Sequence, residues 1–318
     1  MTKRNYLISC LWAIAIMLAT VSCSKDEINI NPPPDETPDA TLKVQILPVE
    51  NNTKTLGHGD NNYVETQVTT AVIGIFKTDG TLKTIRNATF ATGAVKELTM
   101  PVKSGESLVY VVANVDVSLF DKVNNLTEFK NVSLQLDQSV IPMVGNTTAI
   151  IIANSTVSYP VYLSRMVAKV SVSKIELELT NNGYPNATLD VDKVFLHNAA
   201  GTSTVDLKTS NLLTGLDTPG LMNFKADYFG AYERHYFYSF ESKLRLVIGG
   251  WFKDAGRTPI YTYYPVDIDA KHNNHYALTV KIKGLGVDNP GDNWESSGNL
   301  KLNLQVVDWE VNPIDKEF

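Results

Sequence analysis

Cysteine is missing from almost the whole chain, because both cysteines, Cys10 and Cys23, lie near the start of its 318 residues. This absence excludes disulfide bonds, thiolate metal sites and cysteine nucleophiles from everything after Cys23. Basic residues are also outnumbered by acidic ones, and the formal net charge is -6. Because nucleic-acid binding requires a basic surface patch, we predict no nucleic-acid partner.

Long apolar runs are absent except at the N-terminus. Leu7 to Val21 is nearly all apolar and follows a basic start, but it is too short and wrongly flanked to span a membrane. Residues 1–22 are therefore predicted to be an export signal. Leu18 to Ser22, directly before Cys23, resemble the relaxed lipobox of bacterial lipoproteins, which implies lipidation at Cys23. The alternative is an ordinary signal peptide with an incidental cysteine.

The residues after Cys23 predict an anchored, extended segment. Ser24 to Glu27 resemble the charged signal that directs Bacteroidota lipoproteins to the cell surface. Residues 23–40 are interpreted as a tether or propeptide, in which Pro32 to Pro34 favour an extended chain that buries nothing. The precursor is thus predicted to be an outer-membrane lipoprotein at the cell surface.

A convincing long helical period is absent too, although residues 117–126 have room for a helical turn or two. Short segments with apolar residues, separated by polar turns, dominate from Thr41 onward. Many short strands with polar turns predict an all-β fold built of sandwiches. We expect a first domain over residues 41–158 and a second over residues 159–318. The main strand candidates are Thr69–Lys77, Ser107–Val115, Val132–Leu136, Ala149–Ala153, Met166–Thr180, Val191–His197, His235–Phe240, Leu244–Phe252, Tyr261–Val266, His275–Lys283 and Leu300–Val311.

The first strand candidate, Thr41 to Val49, is the most informative stretch. Leu42, Val44 and Ile46 alternate with polar residues, as in a strand with one buried face. The polar segment after it carries one basic residue, Lys54, followed by Thr55, as a protease-accessible loop would. We interpret the strand as removable, with a cut beside Lys54 that frees it.

The C-terminal tail, at about residues 306–318, is interpreted as a strand that the subunit donates, in contrast to the first strand, which it loses. It follows a clean alternating strand that begins at Leu300. Four further apolar side chains then make it a candidate donor strand for the groove of another copy: Trp309, Val311, Ile314 and Phe318. The alternative is that the tail packs on its own domain.

Signals of chemistry are weak. His272 and His275 lack further nearby ligands for a metal site, and 288–293 lacks the spacing of a helix–loop–helix calcium loop. Glu176 and Glu178 fit the outward face of a half-buried strand. No nucleophile elbow, zinc-protease motif or phosphate loop occurs. We therefore predict no catalytic residue, cofactor or metal, and a protein that is not an enzyme.

Four stretches together resemble the fimbrillin family of Bacteroidales, the FimA/Mfa type of major fimbrial subunit. They are the lipoprotein signal with its tether, the strand Thr41–Val49 with the basic residue and Thr55-Leu56-Gly57 after it, Leu108–Val115 with its Ala-Asn pair, and Arg165–Val170 combined with the ending Leu302–Phe318. The resemblance implies two tandem transthyretin-like β-sandwich domains of the antiparallel Greek-key type with little helix. It also implies export as a lipoprotein, a cut after the first strand and polymerisation by strand exchange.

The predicted function is therefore a structural fimbrial subunit, most consistent with the stalk, that serves adhesion. Its expected partners are other copies of itself, other fimbrial subunits, a trypsin-like maturation protease, the outer membrane through the lipid, and a host or bacterial surface ligand of unknown identity. Where the family has arginine at the cut, this chain has Lys54, so either the processing enzyme accepts lysine or the cut lies elsewhere. The alternative function is a monomeric surface lipoprotein that binds glycans through the aromatic residues of Asp227 to Phe240.

Overall fold

The computed structural model describes residues 37–48, 67–91, 95–137, 140–179, 183–213, 235–291 and 300–308. These residues form seventeen strands, one 3-10 helix at Val117–Phe120 and one short α-helix at Leu126–Lys130. The prediction of an all-β fold with little helix is confirmed. Within the described ranges, no helix is long and apolar enough to cross a lipid bilayer.

The strands follow one another through both halves of the chain. The first eight are β1 (Ala40–Pro48), β2 (Thr70–Phe76), β3 (Leu82–Thr89), β4 (Glu97–Val102), β5 (Gly105–Ala113), β6 (Ser133–Gln135), β7 (Met143–Ile151) and β8 (Thr156–Arg165). The other nine are β9 (Val167–Leu177), β10 (Thr188–His197), β11 (Ala199–Thr204), β12 (Thr209–Leu213), β13 (His235–Phe240), β14 (Ser242–Lys253), β15 (Ile260–Ala270), β16 (Asn274–Ile282) and β17 (Leu300–Asp308).

The first unit is a seven-stranded sheet in the order β3-β2-β5-β7-β8-β1-β4. The sheet folds over at β8. This strand pairs with β7 only through Ser164 and Arg165, whereas its residues 156–163 pair with β1. Buried side chains from both parts of the sheet form a single apolar core. The first unit therefore has two layers of strands around one core.

Gly145 allows β7 and β8 to approach closely before they separate. A Cβ atom at this position would lie 2.2 Å from the carbonyl oxygen of Tyr162. Only glycine, which has no Cβ, fits such a close approach of two backbones.

The second unit contains a three-stranded sheet in the order β10-β14-β15 and a longer sheet in the order β12-β11-β13-β9-β16-β17. Its buried side chains form a second apolar core. Strand pairs in both units are antiparallel except for two, β1 with β8 and β9 with β16, which run parallel.

The two units meet through a shared sheet. β6 of the first unit pairs with β11 of the second, with Leu134 opposite Ser203. The boundary predicted between residues 158 and 159 falls inside β8, whose strand partners both belong to the first unit. Along the chain, the second core begins at Ala168, but four later residues return to the first core: Ala200, Val205, Tyr238 and Phe240.

Candidate strand-exchange groove

β1 lies inside its sheet although it comes first in the described part of the chain. It runs antiparallel to β4, with Leu42 opposite Met100, and parallel to β8, with Leu42 opposite Val157. Parallel neighbours cannot be joined by a tight turn. β1 is therefore inserted between two strands that come much later in the sequence.

The burial of β1 alternates along the strand. Leu42 and Val44 are 0% exposed and Ile46 is 1% exposed, whereas Lys43 and Gln45 are partly exposed. The alternation predicted for these positions is confirmed. Because inward side chains of a strand pack on the core, β1 contributes a row of apolar side chains to the first unit.

The neighbours of β1 form a groove, which we name the β1 groove. Met100 and Val102 of β4 and Val161 and Leu163 of β8 are fully or almost fully buried beside the strand. Within the described residues, β1 is the only strand partner of β4. Without β1, the groove would present apolar side chains and two unpaired backbone edges, which together are a binding site for another strand.

Asp39 fixes the upstream end of β1. Its carboxylate accepts hydrogen bonds from Lys103 Nζ at 2.9 Å, from the N–H of Ser104 at 2.6 Å and from the hydroxyl of Ser104 at 2.9 Å. These contacts lower the pKa of Asp39 to about 2, and the hydrogen bond from Lys103 contributes most. Its carbonyl oxygen also accepts the N–H of Asn154 at 2.7 Å. Asp39 lies in the predicted tether, and its role at β1 has no sequence signal because none of these partners is near it in the chain.

Asn114 fixes the chain just before β2. Its side-chain oxygen accepts the N–H of Thr69 at 2.9 Å, and its amide donates to the carbonyl oxygens of Gln67 at 2.7 Å and Ile141 at 3.0 Å. Its φ of 59° is left-handed, a region that asparagine tolerates better than most residues. Asn114 of the Ala-Asn pair, one of the features shared with the fimbrillin family, thus anchors the chain just downstream of residues 49–66.

Several predicted site residues lie outside the described residues. These are the lipidation site Cys23, the processing site Lys54 and Thr55, and the donor residues Trp309, Val311, Ile314 and Phe318. The structure describes the chain on both sides of the segment that contains Lys54. β1 ends at Pro48, and the next described residue is Gln67.

The two histidines engage different partners. His272 Nδ1 lies 2.9 Å from Glu241 Oε2, and His275 Nε2 lies 2.8 Å from the hydroxyl of Ser171. Across the described ranges, no group of three or more His, Cys, Asp or Glu side chains is arranged to hold a metal ion.

Glu176 and Glu178 both form ion pairs with Lys281, at 3.0 and 2.9 Å. The hydrogen bond from Lys281 contributes most to lowering the pKa of Glu178. Two carboxylates that share one ammonium on neighbouring strands are a surface charge network. This arrangement agrees with the outward face expected from the sequence.

The aromatic stretch that suggested glycan binding is buried where the structure describes it. Phe237, Tyr238 and Phe240 are at most 4% exposed and belong to the apolar cores. The side chains of Tyr228, Phe229, Tyr232 and Tyr236 lie outside the described residues. The described part of this stretch therefore offers no ring for a sugar to stack on.

The family model of the Major fimbrial subunit protein (FimA) matches residues 40–192. The resemblance to the fimbrillin family is confirmed. The matched residues include β1, both walls of the β1 groove and Asn114. Such a family implies a subunit of a cell-surface fimbrium that polymerises with other fimbrial subunits. No curated protein sequence shows significant similarity to the chain.

Solved structures share the fold along most of the chain. A fimbrilin (FimA) from Porphyromonas gingivalis W83 has a TM-score of 0.65 and 18% identity over 87% of this chain and 99% of its own. A suggested cell adhesion protein from Bacteroides eggerthii has a TM-score of 0.65 and 16% identity over 88% of this chain and 98% of its own. The tip fimbrial protein Mfa3 from P. gingivalis, truncated at its C-terminus, has a TM-score of 0.51 and 14% identity over 86% of this chain and 100% of its own. At these identities the likeness establishes the fold alone.

Proposed function

We propose that the protein is the stalk subunit of an adhesive fimbria and that it assembles by proteolysis-triggered donor-strand exchange. The observation that carries this proposal is the position of β1, a buried strand between β4 and β8. It is joined to the rest of its unit through residues 49–66, whose single lysine or arginine is Lys54. One cut in that segment separates β1 from every strand it pairs with.

Maturation would proceed from a lipid-anchored precursor. Export and lipidation at Cys23 place the precursor on the outer membrane, and a trypsin-like protease then cuts after Lys54. The mature chain begins at Thr55, and residues 23–54, which include β1, are released. Asn114 holds the new N-terminal side of the chain, because its contacts are to residues 67 and 69.

The energetics require that the vacated groove be refilled. Burying Leu42, Val44 and Ile46 contributes about 4.5–9 kcal/mol in total, at about 1.5–3 kcal/mol for each side chain. This value is an upper bound, because the unfolded chain is already partly compact. It is still comparable with the net stability of a typical domain, about 5–15 kcal/mol. A subunit that has lost β1 is therefore expected to be unstable until another strand enters.

The donor strand would come from the C-terminal tail of a second copy, at about residues 306–318. Within the described residues, β17 ends its sheet and pairs only with β16, so the residue before the proposed donor side chains, Asp308, lies on a strand at a sheet edge. Trp309, Val311, Ile314 and Phe318 supply the apolar side chains. A subunit that both loses a strand and donates one grows head to tail into an open filament. A stalk needs both functions, whereas a tip subunit has no need to donate.

Limited trypsin digestion of the full chain tests the proposal. We expect a new N-terminus at Thr55 by mass spectrometry, followed by a ladder of SDS-resistant multimers. Lys54→Gln should remain uncut and monomeric, and a chain without Pro313–Phe318 should be cut but stay a folded, soluble monomer. Normal polymers from either variant would refute the exchange mechanism. Glycan binding by an uncut monomer that never polymerises would support the alternative of a monomeric lipoprotein.

A further inference from the structure

We propose that Lys103 and Ser104 form a carboxylate-binding site that selects the strand admitted to the β1 groove. We name this site the head site, because it lies at the upstream end of β1. The inference rests on the proposed exchange of β1 and adds a chemical requirement for the strand that replaces it. The site favours a replacing strand that carries a carboxylate one residue before its first inward side chain.

Three different donors converge on one carboxylate in the head site. The Lys103 ammonium and the Ser104 hydroxyl both donate to Asp39 Oδ2, at 2.9 Å each, and the Ser104 N–H donates to Oδ1 at 2.6 Å. Both oxygens of the carboxylate are therefore engaged. An ammonium, a backbone N–H and a hydroxyl are the donors expected around a bound carboxylate, and charge assistance makes such bonds the stronger ones.

The head site is held in shape by groups that do not belong to β1. Lys83, on β3, is only 9% exposed, and its ammonium donates to the Ser107 hydroxyl at 2.8 Å and to the carbonyl oxygens of Lys103 and Ser104 at 3.3 Å each. Gly105 then turns the chain with a φ of +107°. These residues hold the β4–β5 turn through contacts that do not involve Asp39. We therefore expect the donors to keep their positions when β1 leaves.

Release of residues 23–54 would remove Asp39 together with β1. The Lys103 ammonium and the Ser104 donors would then lose the carboxylate that they bind in the precursor. A strand with an acidic residue in the same place restores these contacts, and a strand without one leaves them unmade. The head site thus distinguishes between strands that fill the apolar groove equally well.

The proposed donor tail has the required pattern. Asp308 stands before Trp309 and Val311 as Asp39 stands before Ala40 and Leu42. Asp308 is also the last residue of β17, where it lies opposite Asn274. We infer that Asp308 of a second copy replaces Asp39 in the head site, which requires the final pair of β17 to open.

Release of the N-terminal fragment from the trypsin-cut full chain measures the head site directly. We expect Asp39→Asn and Lys103→Gln each to raise the release rate at pH 7 roughly three- to fivefold, the upper part of the range for an exposed ion pair. The double variant should release no faster than the faster single variant, because both changes remove the same contact. Asp116→Asn is the matched control. Asp116 accepts the N–H and hydroxyl of Ser118 in the same way but does not contact β1.

Exchange with added peptides then tests the selection of the strand. The cut full chain is incubated with an excess of a peptide of residues 37–48 or of residues 306–318, each also made with asparagine for Asp39 or Asp308. We expect the acidic peptides to displace the fragment roughly three- to fivefold faster than their asparagine forms. Equal exchange of both forms would overturn the head site and leave strand exchange intact. No exchange with any peptide would overturn strand exchange and the head site together.

Discussion

Leu42 offers the sharpest test of a removable β1. Its side chain is 0% exposed, and Leu→Ala changes at such positions cost about 2–5 kcal/mol, from lost burial and from the cavity that remains. Leu163 is the matched control, because it is a leucine that is 1% exposed in the same core but belongs to β8. In the uncut precursor, we expect Leu42→Ala and Leu163→Ala to destabilise the first unit by similar amounts.

The two variants should differ after assembly. If β1 has left, Leu42 is no longer part of the polymer, and the Leu42→Ala polymer should melt at the wild-type temperature. The Leu163→Ala polymer should still melt lower, because Leu163 still lines the filled groove. The assay is urea unfolding of the precursor and thermal melting of purified polymer. A Leu42→Ala polymer that keeps the deficit of its precursor would show that β1 stays in place, and would refute the reasoning.

Three further predictions concern the frame around the groove. Asn114→Ala should lower the free energy of unfolding by about 1–3 kcal/mol, because backbone groups of Gln67, Thr69 and Ile141 lose their partner, as measured by urea unfolding. Gly145→Ala should cost about 1–3 kcal/mol from overpacking, because its Cβ would meet the backbone of Tyr162, whereas Gly291→Ala meets nothing within 4 Å and should be neutral. The carboxylate of Asp39, with a pKa lowered from 3.8 to about 2, stabilises the strand above pH 4. That contribution should be lost as the pH falls from 4 to 2, seen as faster fragment release from the cut chain.

Each of these three has an outcome that would contradict it. Unchanged unfolding of Asn114→Ala would mean that its left-handed turn does not depend on the side chain. Equal stability of the two glycine variants would deny the close approach of β7 and β8. The pH effect is isolated by comparison with Asp39→Asn, because other carboxylates titrate in the same range. If both proteins respond to acid identically, Asp39 is not the group responsible.

The strands that sequence reasoning missed have identifiable physical causes. β4 and β8 contain Pro101 and Pro160, and proline argues against a strand inside a sheet. β3 is buried at Lys83 and Thr84 as well as at its apolar positions, so its sequence shows no alternation of polar and apolar residues. β11 and β12 are short and rich in Ser and Thr. In each case the packing of neighbouring strands decided the structure against a weak local signal.

By itself, the sequence determined the all-β class, the inward row Leu42, Val44 and Ile46, and the fimbrillin resemblance, because alternation and turn residues are local properties of the chain. Only the tertiary structure decided that β1 lies between β4 and β8, parallel to a strand more than a hundred residues later in the chain. It also decided that Asp39 meets Lys103 and Ser104. Such contacts follow from the way sheets close over a common core, and no pattern within one segment contains that information.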